Sequence, residues 1–506
     1  MSRVRPKIFA MFDAKQQIMY CYFVNMRYFI FAQKVFRFAL FVTFIGTLTA
    51  CGFSTVQPES SGGARESIIY NDNDDKGKAG TKREVGDPVS EGDVIVIDDA
   101  PVTTDDQTFL GWQSNEGDLM QPGDTYTVGE NVPEFTAVRH PNEAEEISLS
   151  NVRARGDEEP SFALAIDQLT VAVGASSSDV GERRSGTVDL LSWDGSNWVH
   201  RTQLTVQDVQ RTPEDGDMFG ISIELDAGRL VVGAPGVNGD KGEVYLFVKR
   251  DDVWTHSETF SPQNDEGLFG VDVALSGGRL YVAQSPRDGL AQVHLYERGV
   301  DGTWNFTRSF EHENAQSDYR IDRIAAHHDT VALIGEPPTG PSTQQNGVTV
   351  WTWDGANWQS VTVAVPDGLR PWSVALDADR LVVGALEKDC VIAYQRDPDG
   401  TWASTSPAPM PCDDDGASRT EVAVVGDTVV MGNYKANDSQ GEVLGFRDTG
   451  AEWSSVQVPA SVERDGVRAG TTLAMNEHLL VTGLGLTGGP GDTVVATVQP
   501  TAALFD

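Results

Sequence analysis

The chain has 506 residues, of which 40% are apolar, and this is enough for one large domain with small appendages or for several ordinary domains. It carries 75 acidic against 38 basic residues, a formal net charge of -37. Because such a surface repels phosphate backbones and anionic headgroups, nucleic-acid binding and electrostatic docking on a membrane are disfavoured. Cations, basic proteins and neutral glycans stay open as partners.

Residues 1–50 are predicted to be an export signal that is removed. An apolar run from Phe38 to Leu48 follows several basic residues and leads into Leu48-Thr49-Ala50-Cys51. These four residues resemble the bacterial lipoprotein signal, in which the cysteine receives diacylglycerol and becomes the new N-terminus. The resemblance makes Cys51 the lipid anchor. An N-terminal transmembrane helix is the alternative, but the run is shorter than the ~20 residues that a span needs.

The residue after the anchor bears on the predicted location. It is Gly52, whereas an Asp there usually means retention in the inner membrane within that family. We therefore expect a cell-envelope protein at the outer membrane or cell surface. Translation from Met26 instead of Met1 would leave a more compact signal, and the sequence leaves both starts open.

Two short segments are expected to precede the main body. Residues 51–91 are rich in Ser, Gly, Asp and Lys, which predicts a disordered tether behind the anchor. Residues 92–141 are predicted to form a small β module. Its Phe109-Leu110-Gly111-Trp112, Pro122-Gly123-Asp124 and Tyr126-Thr127-Val128 resemble the internalin-type B repeat, but Ala137-Val138-Arg139 replaces the usual closing aromatic pair.

From about Ile147 the chain repeats itself with a period of roughly 50 residues, in seven copies. Each copy has an apolar strand that ends in small residues: Val171–Ala175, Leu230–Pro235, Leu280–Ala283, Val331–Gly335, Leu381–Ala385, Val429–Gly432 and Leu479–Gly483. A second marker precedes it, as Phe162-Ala163, Phe219-Gly220, Phe269-Gly270 and Trp372-Ser373. A third is a polar turn followed by Trp198, Trp254, Trp304, Trp358, Trp402 or Trp453.

Between these markers each copy predicts four short antiparallel strands with tight turns. A single sheet of this kind exposes both faces, whereas a closed ring of them buries those faces against neighbours. We therefore predict an all-β protein whose residues 147–506 form a seven-bladed β-propeller of four-stranded antiparallel blades. The last copy lacks a fourth strand, and Ile147–Val152 is predicted to supply it. An open solenoid is the alternative, but it would need capping repeats that the sequence does not contain.

The repeat resembles a known family. Phe219-Gly220, Gly233-Ala234-Pro235 and the run from Gly242 to Phe247 are similar to the bacterial FG-GAP repeat, which shares the propeller fold of integrin α-subunit heads. Several integrin repeats carry calcium in a D-x-D-x-D loop. The corresponding turns here are shorter, such as Asp377-Ala378-Asp379, so those calcium sites are not carried over. No cofactor and no metal ligand is predicted, although calcium stays open.

Two cysteines of the repeat region are predicted to pair. Cys390 and Cys412 flank an apparent hairpin in a chain bound for an oxidising compartment, which favours a disulfide. Buried free thiols are the alternative.

No catalytic motif is found: the chain has no HExxH, GxSxG, P-loop or CxxC pattern. The cluster His327-His328-Asp329 is expected to be an exposed turn, with metal ligation as the alternative. Loops on one face are rich in carboxylates, which either bind a partner or calcium or only keep the protein soluble. The candidate binding residues there are Asp215, Asp217, Asp265, Asp318, Asp413, Asp414 and Asp415.

Two functions follow from these observations. The favoured one is a lipid-anchored envelope protein that binds or scaffolds a protein or glycan through one propeller face. The alternative is a propeller enzyme, a hydrolase or lyase acting on extracellular polysaccharide. The first is favoured because the inner strands are expected to lack the concentration of His, Arg and carboxylates that an axial active site needs.

Overall fold

The computed structural model describes residues 66–72, 81–101, 106–115, 117–129, 131, 133–149, 162–263, 267–285, 290–311, 320–336, 347–386, 389–405, 419–436, 440–450, 452–459, 467–486 and 494–505. These residues form an all-β structure with almost no helix. The exceptions are the 3-10 turns Val206–Val209 and Ala502–Leu504 and the helical turn Val237–Asp240. Within the described part of the chain, no helix has the length and apolar character needed to cross a membrane.

An N-terminal sheet has five strands: β1 Glu66–Asp72, β2 Thr81–Val89, β4 Gln107–Ser114, β5 Leu119–Met120 and β7 Glu134–Pro141. Their order in the sheet is β2-β1-β7-β4-β5. β1 runs parallel to β7, and the other pairs are antiparallel. Beside this sheet, β3 Val94–Val96 pairs with β6 Thr125–Thr127.

β1 and β2 lie in the segment that was expected to be a disordered tether, so that expectation was wrong for residues 66–72 and 81–89. The reason is a short apolar alternation in β1. Ile68 and Tyr70 are buried, and the Tyr70 ring lies 4.8 Å from that of Trp112 and 5.2 Å from that of Phe135. These aromatic rings bury enough apolar surface to order a strand among polar residues. The small β module therefore begins at β1, ahead of residue 92.

The repeats form four-stranded antiparallel sheets, which we name S1 to S7 in chain order. S1 contains β9 Phe162–Asp167, β10 Thr170–Ala175, β11 Thr187–Trp193 and β12 Trp198–Leu204. S2 contains β13 Ser222–Asp226, β14 Arg229–Ala234, β15 Glu243–Arg250 and β16 Val253–Phe260. S3 contains β17 Phe269–Ser276, β18 Arg279–Gln284, β19 Gln292–Arg298 and β20 Trp304–Glu311.

The later sheets follow the same strand order. S4 contains β21 Arg320–His327, β22 Thr330–Glu336, β23 Gly347–Trp353 and β24 Trp358–Ala364. S5 contains β25 Arg370–Asp377, β26 Arg380–Leu386, β27 Val391–Arg396 and β28 Trp402–Ser404. S6 contains β29 Thr420–Val425, β30 Thr428–Asn433, β31 Glu442–Asp448 and β32 Trp453–Gln457. S7 contains β33 Val467–Met475, β34 Leu479–Leu486, β35 Val494–Pro500 and β8 Glu145–Leu149.

The outer strand of S7 comes from the region ahead of S1. β8 pairs antiparallel with β35, with Ile147 opposite Ala496. The predicted pairing of the segment at Ile147 with the last copy is thus confirmed, although the strand begins at Glu145. This pairing joins residues that are far apart in the sequence.

The second strand is among the most deeply buried strands of each sheet. In β14 every residue from Leu230 to Ala234 is buried, whereas in the outer strand β16 only Trp254 and Phe260 are buried. A strand covered on both faces needs a continuous apolar run, which is the pattern that marks each copy in the sequence. The first strands of consecutive sheets pack against one another from β9 through β33, and β33 in turn packs against β9.

Glycines allow neighbouring sheets to approach at the backbone. A Cβ placed on Gly174, Gly233 or Gly432 would lie 2.2, 2.2 and 2.5 Å from the carbonyl oxygens of Gly220, Gly270 and Gly470, respectively. Gly220 and Gly270 have positive φ angles of 85° and 89°. The small residue that ends the second strand therefore meets the glycine that opens the next copy. This contact explains why the two markers recur together.

Hydrogen bonds tie the hairpin turns of neighbouring sheets together. The Asp167 carboxylate accepts from the Gly228 amide at 3.0 Å, and Asp377 accepts from the Gly426 amide at 2.6 Å. In S3, the Ser276 hydroxyl accepts from the His328 amide at 3.0 Å. The last residue of a first strand thus fixes the first turn of the next sheet.

The glycine contacts predict a large effect of one added methyl group. Gly233→Ala is expected to lower the free energy of unfolding by about 3 kcal/mol, since the Cβ would overlap the backbone of S3. Chemical denaturation measures this loss. Gly195→Ala is the control, because a Cβ there meets nothing within 4 Å and only its φ of 97° is unfavourable, at about 1 kcal/mol. Equal losses in both variants would contradict the close contact.

Candidate functional site

The sequence-predicted site residues are only partly within the described structure. Asp215 is exposed and Asp217 is 3% exposed. Cys390 is buried and disulfide-bonded. Cys51, Cys412, Asp265, Asp318, Asp413, Asp414 and Asp415 lie outside the described residues. The pairing of Cys390 with Cys412 and the lipid on Cys51 stay predictions.

Asp217 has a structural role in its loop. Its carboxylate accepts from the Glu214 amide at 2.7 Å, and its carbonyl accepts from the Gly236 amide at 3.2 Å. Burial raises the pKa of Asp217, and the nearby Glu214 carboxylate raises it further. A residue enclosed in this way cannot serve as an exposed binding residue, so only Asp215 of the described candidates faces solvent.

A cluster of charged residues that sequence reasoning missed lies on the first strands of S2 to S6. Asp272 and Glu421 stand opposite Ala283 and Gly432, each the next-to-last residue of its second strand, and Arg323 stands opposite Ile334. Because the first strands pack against one another, these side chains converge although their positions are far apart in sequence. We call Glu224, Asp272, Arg323, Trp372 and Glu421 the first-strand cluster.

Asp272 connects two sheets and is partly neutralised by its surroundings. Its carboxylate accepts from the amide of Ile324, on the next first strand, at 2.7 Å and from that of Val273 at 3.1 Å. Burial raises the pKa of Asp272 to about 6, although the Arg323 guanidinium and these amides act in the opposite direction. Asp272 therefore titrates much closer to neutral pH than an exposed aspartate.

Arg323 lies between acidic and aromatic partners. Burial alone would lower the pKa of Arg323, but the carboxylates of Glu421 and Asp272 raise it above its ordinary value. Its guanidinium lies 5.6 Å from the Trp372 ring centroid, and the guanidinium of Arg419 lies 4.5 Å from the same ring. The Trp372 indole donates to the Glu421 carboxylate at 2.9 Å. These contacts hold a cation and two carboxylates in one enclosed group.

Glu224 is the most strongly perturbed member of the cluster. Its side chain keeps some accessible surface but is surrounded by protein atoms. Burial raises the pKa of Glu224 to about 8, and the carboxylates of Asp272 and Asp226 add to this effect. At neutral pH its carboxyl group is therefore mostly protonated and can donate a hydrogen bond.

The histidine pair of S4 lies at the end of β21. His328 is exposed, as predicted, but His327 is partly buried, and its Nε2 lies 3.3 Å from the Asp377 carboxylate. Burial lowers the pKa of His327, while Asp377 raises it. Within the described residues, no group of three or more His, Cys, Asp or Glu side chains is arranged to hold a metal ion.

The inner strands were expected to lack the concentration of His, Arg and carboxylates that an axial active site needs, and the first-strand cluster places Glu224, Asp272, Arg323 and Glu421 on first strands. Most first strands carry only one or two charged residues, although β21 carries Arg320, Asp322 and Arg323, and packing brings together charges that stand about 50 residues apart in the sequence. The available signal was a charged residue next to an apolar residue within each of these first strands. An acid with a raised pKa beside carboxylates and an arginine is an arrangement suited to proton transfer.

A separate cleft of about 770 Å³ lies where the β4–β5 hairpin approaches the turns of S1 and S2. Its lining includes five aspartates and two basic residues, together with amide side chains. The charged residues are Asp118, Asp167, Asp194, Asp251, Asp252, Arg201 and Lys249. Asp194 is fixed by accepting from the Ser196 and Asn197 amides at 2.9 and 2.8 Å. The cleft is thus acidic and built from well-ordered turns.

The burial of Glu224 predicts a pH-dependent cost to stability. Its folded-state pKa is raised from 4.5 to about 8, so the folded state holds this proton more tightly and stability is lost as pH rises between those values. Relative to Glu224→Gln, the wild type should lose roughly 1 kcal/mol of unfolding free energy per pH unit across that range. Urea denaturation from pH 4.5 to 8 measures it. Exposed Glu452→Gln is the control, and a pH-independent difference for Glu224→Gln would contradict the assignment.

No protein-family model matches this chain, and a search of curated proteins finds no relative. The resemblances to FG-GAP and B repeats therefore stay expectations that rest on the residues quoted for them.

Proposed function

We propose that this chain is an exported cell-envelope protein, anchored by lipid on Cys51, whose repeats form a seven-bladed β-propeller that binds a protein or glycan partner. The anchor follows the N-terminal signal sequence and becomes the first residue of the mature chain. The recognition surface belongs to the acidic cleft between the β4–β5 hairpin and the turns of S1 and S2. The N-terminal sheet is part of the binding unit in this proposal.

The propeller is supported by how the sheets pack. First strands contact one another in sequence order, β33 contacts β9, and β8 joins β35 in S7. β8 comes from the start of the repeat region and completes the last sheet. Such a pairing closes a ring of sheets and leaves only short strand edges. An open stack would leave β33 and β9 far apart.

The observation that carries the binding function is the cleft of about 770 Å³, because it falls in the range of sites that enclose a small ligand or a few residues of a partner. Its aspartates favour a cationic or hydroxyl-rich ligand. Trp193 contributes to the lining but is only 6% exposed, so it gives a sugar little surface for stacking.

Matched turn variants test the binding site. Asp194 and Asp354 cap the same kind of turn, since each accepts from the amides two and three residues later. Only Asp194 lines the cleft. In the mature chain with Cys51→Ser, Asp194→Asn is expected to weaken a captured glycan or protein ligand about tenfold, equivalent to ~1.4 kcal/mol, while Asp354→Asn leaves it unchanged. Equal effects, or no ligand from a glycan panel and purified envelope proteins, would contradict the proposal.

The anchor has its own test. Cys51→Ala in cells is expected to abolish incorporation of labelled fatty acid and to release the protein from the membrane fraction, because it removes the sulfur that carries the lipid. The unchanged chain should fractionate with the membrane. A variant that stays membrane-bound and labelled would place the lipid elsewhere.

A second candidate is an enzyme acting on extracellular polysaccharide. It is favoured by Glu224, a carboxyl group whose pKa is raised to about 8 beside the carboxylates of Asp272 and Asp226. Hydrolases and lyases use a protonated acid next to an ionised base in this way. Turnover of a polysaccharide that Glu224→Gln abolishes would support it. Binding of the same polysaccharide without turnover would support the binding function and not the enzyme.

A further inference from the structure

His140 lies at the corner where the N-terminal sheet continues into S7. It belongs to β7, and β8 begins at Glu145. The side chain is fully buried, with its ring centroid 4.6 Å from that of Trp193 and 6.3 Å from that of Trp198. Both tryptophans belong to S1. The His140 imidazole thus packs a residue of the N-terminal sheet against S1.

The hydrogen bonds of His140 define a neutral ring. Its Nδ1 lies 2.8 Å from the Pro141 carbonyl oxygen, which can only accept, so Nδ1 carries the proton. The Trp198 indole N–H donates to Nε2 at 3.3 Å, so Nε2 must be unprotonated. A second proton on the ring would have to replace the bond from Trp198.

One carboxylate lies near Nε2 and can accept a hydrogen bond from it once Nε2 is protonated. Glu145, on β8, has its Oε2 3.8 Å from Nε2. S1 contributes uncharged indole rings, and on β7 itself the Arg139 guanidinium donates to Asp72 at 2.5 Å. Burial lowers the pKa of His140, although the Pro141 carbonyl opposes this, and burial raises the pKa of Glu145.

The corner also holds S1 to the closing strand. The Trp193 indole donates to the Arg139 carbonyl at 3.0 Å, and β8 pairs with β35 beyond the corner. Ile147 and Leu149 of β8 belong to the same buried cluster as Trp193. Loss of the His140 contacts would therefore loosen both the N-terminal sheet and β8.

We propose that His140 is a pH-sensitive latch, in which protonation moves its Nε2 from Trp198 to Glu145 and releases the corner between β7 and β8 from S1. The atoms balance simply, since solvent supplies one proton and no covalent bond changes. For an exported protein, the latch would make the arrangement of the N-terminal sheet depend on the acidity of its surroundings.

The direction follows from linkage. The folded latch holds His140 neutral, whereas an opened corner lets it take up a proton below its ordinary value of 6.5. Opening therefore becomes more favourable as pH falls below 6.5, by up to about tenfold per pH unit until the folded ring also protonates. His478 contacts the N-terminal sheet through Gln121 and is also titratable, so the test has to isolate His140.

Hydrogen exchange on the mature chain with Cys51→Ser tests the latch. After correction for intrinsic rates, peptides covering residues 139–149 are expected to exchange at least tenfold faster at pH 5.0 than at pH 7.5. His140→Gln keeps one donor and one acceptor but does not titrate, so it should remove most of this acceleration. His256→Gln, at an exposed histidine, should retain it. The same acceleration in His140→Gln as in the wild type would overturn the proposal.

A measurement on the unmutated His140 covers the case in which His140→Gln does not fold. Nitrogen NMR of selectively labelled histidine is expected to reveal one ring in the Nδ1–H form at pH 7.5, assigned by its change in Trp198→Phe. A fully charged His140 at that pH, or one in the Nε2–H form, would overturn the latch, because neither matches the bonds to Pro141 and Trp198.

Discussion

The close backbone approach between neighbouring sheets is the constraint on which the rest of this structure depends. Gly233 and Gly270 lie so near each other that a Cβ on Gly233 would be 2.2 Å from the Gly270 oxygen. With the sheets this close, β14 is buried from Leu230 to Ala234, and this part of the strand is a continuous run of apolar and small residues. The same spacing lets one residue at the end of a first strand reach the turn of the next sheet, as Asp167 does to Gly228.

Close packing also explains the unusual charges at the first strands. Side chains on these strands have neighbouring first strands beside them and little solvent, so a charged residue there must find a partner or lose its charge. Arg323 finds carboxylates and Trp372, whereas Glu224 has mainly other acids nearby and is protonated instead. This is the physical basis both for the enzyme candidate and for the stability that Glu224 costs at high pH.

Much of the fold was predictable because the same sequence markers recur in successive copies of the repeat. The apolar run, the aromatic residue followed by a small residue and the tryptophan after the turn together located the four-stranded sheets, and the missing last strand pointed to the segment at Ile147. β1 was missed because Ile68 and Tyr70 alone carry its signal. The first-strand cluster could not be found from the sequence, since its partners come from other copies of the repeat. The burial of His140 against Trp193 and Trp198 likewise depends on packing between the N-terminal sheet and S1.

Closure of the proposed ring is tested most directly by a disulfide between β8 and β35. Glu146 and Thr497 are cross-strand partners that are 351 residues apart in the chain. In a chain with Cys51→Ser, the double variant Glu146→Cys and Thr497→Cys is expected to form this bond under mild oxidation, since directly opposed residues have the required Cα separation. Mass spectrometry of the linked peptides identifies it. A closed ring predicts a near-complete intramolecular link in the folded protein, and absence of the link would contradict the closing role of β8.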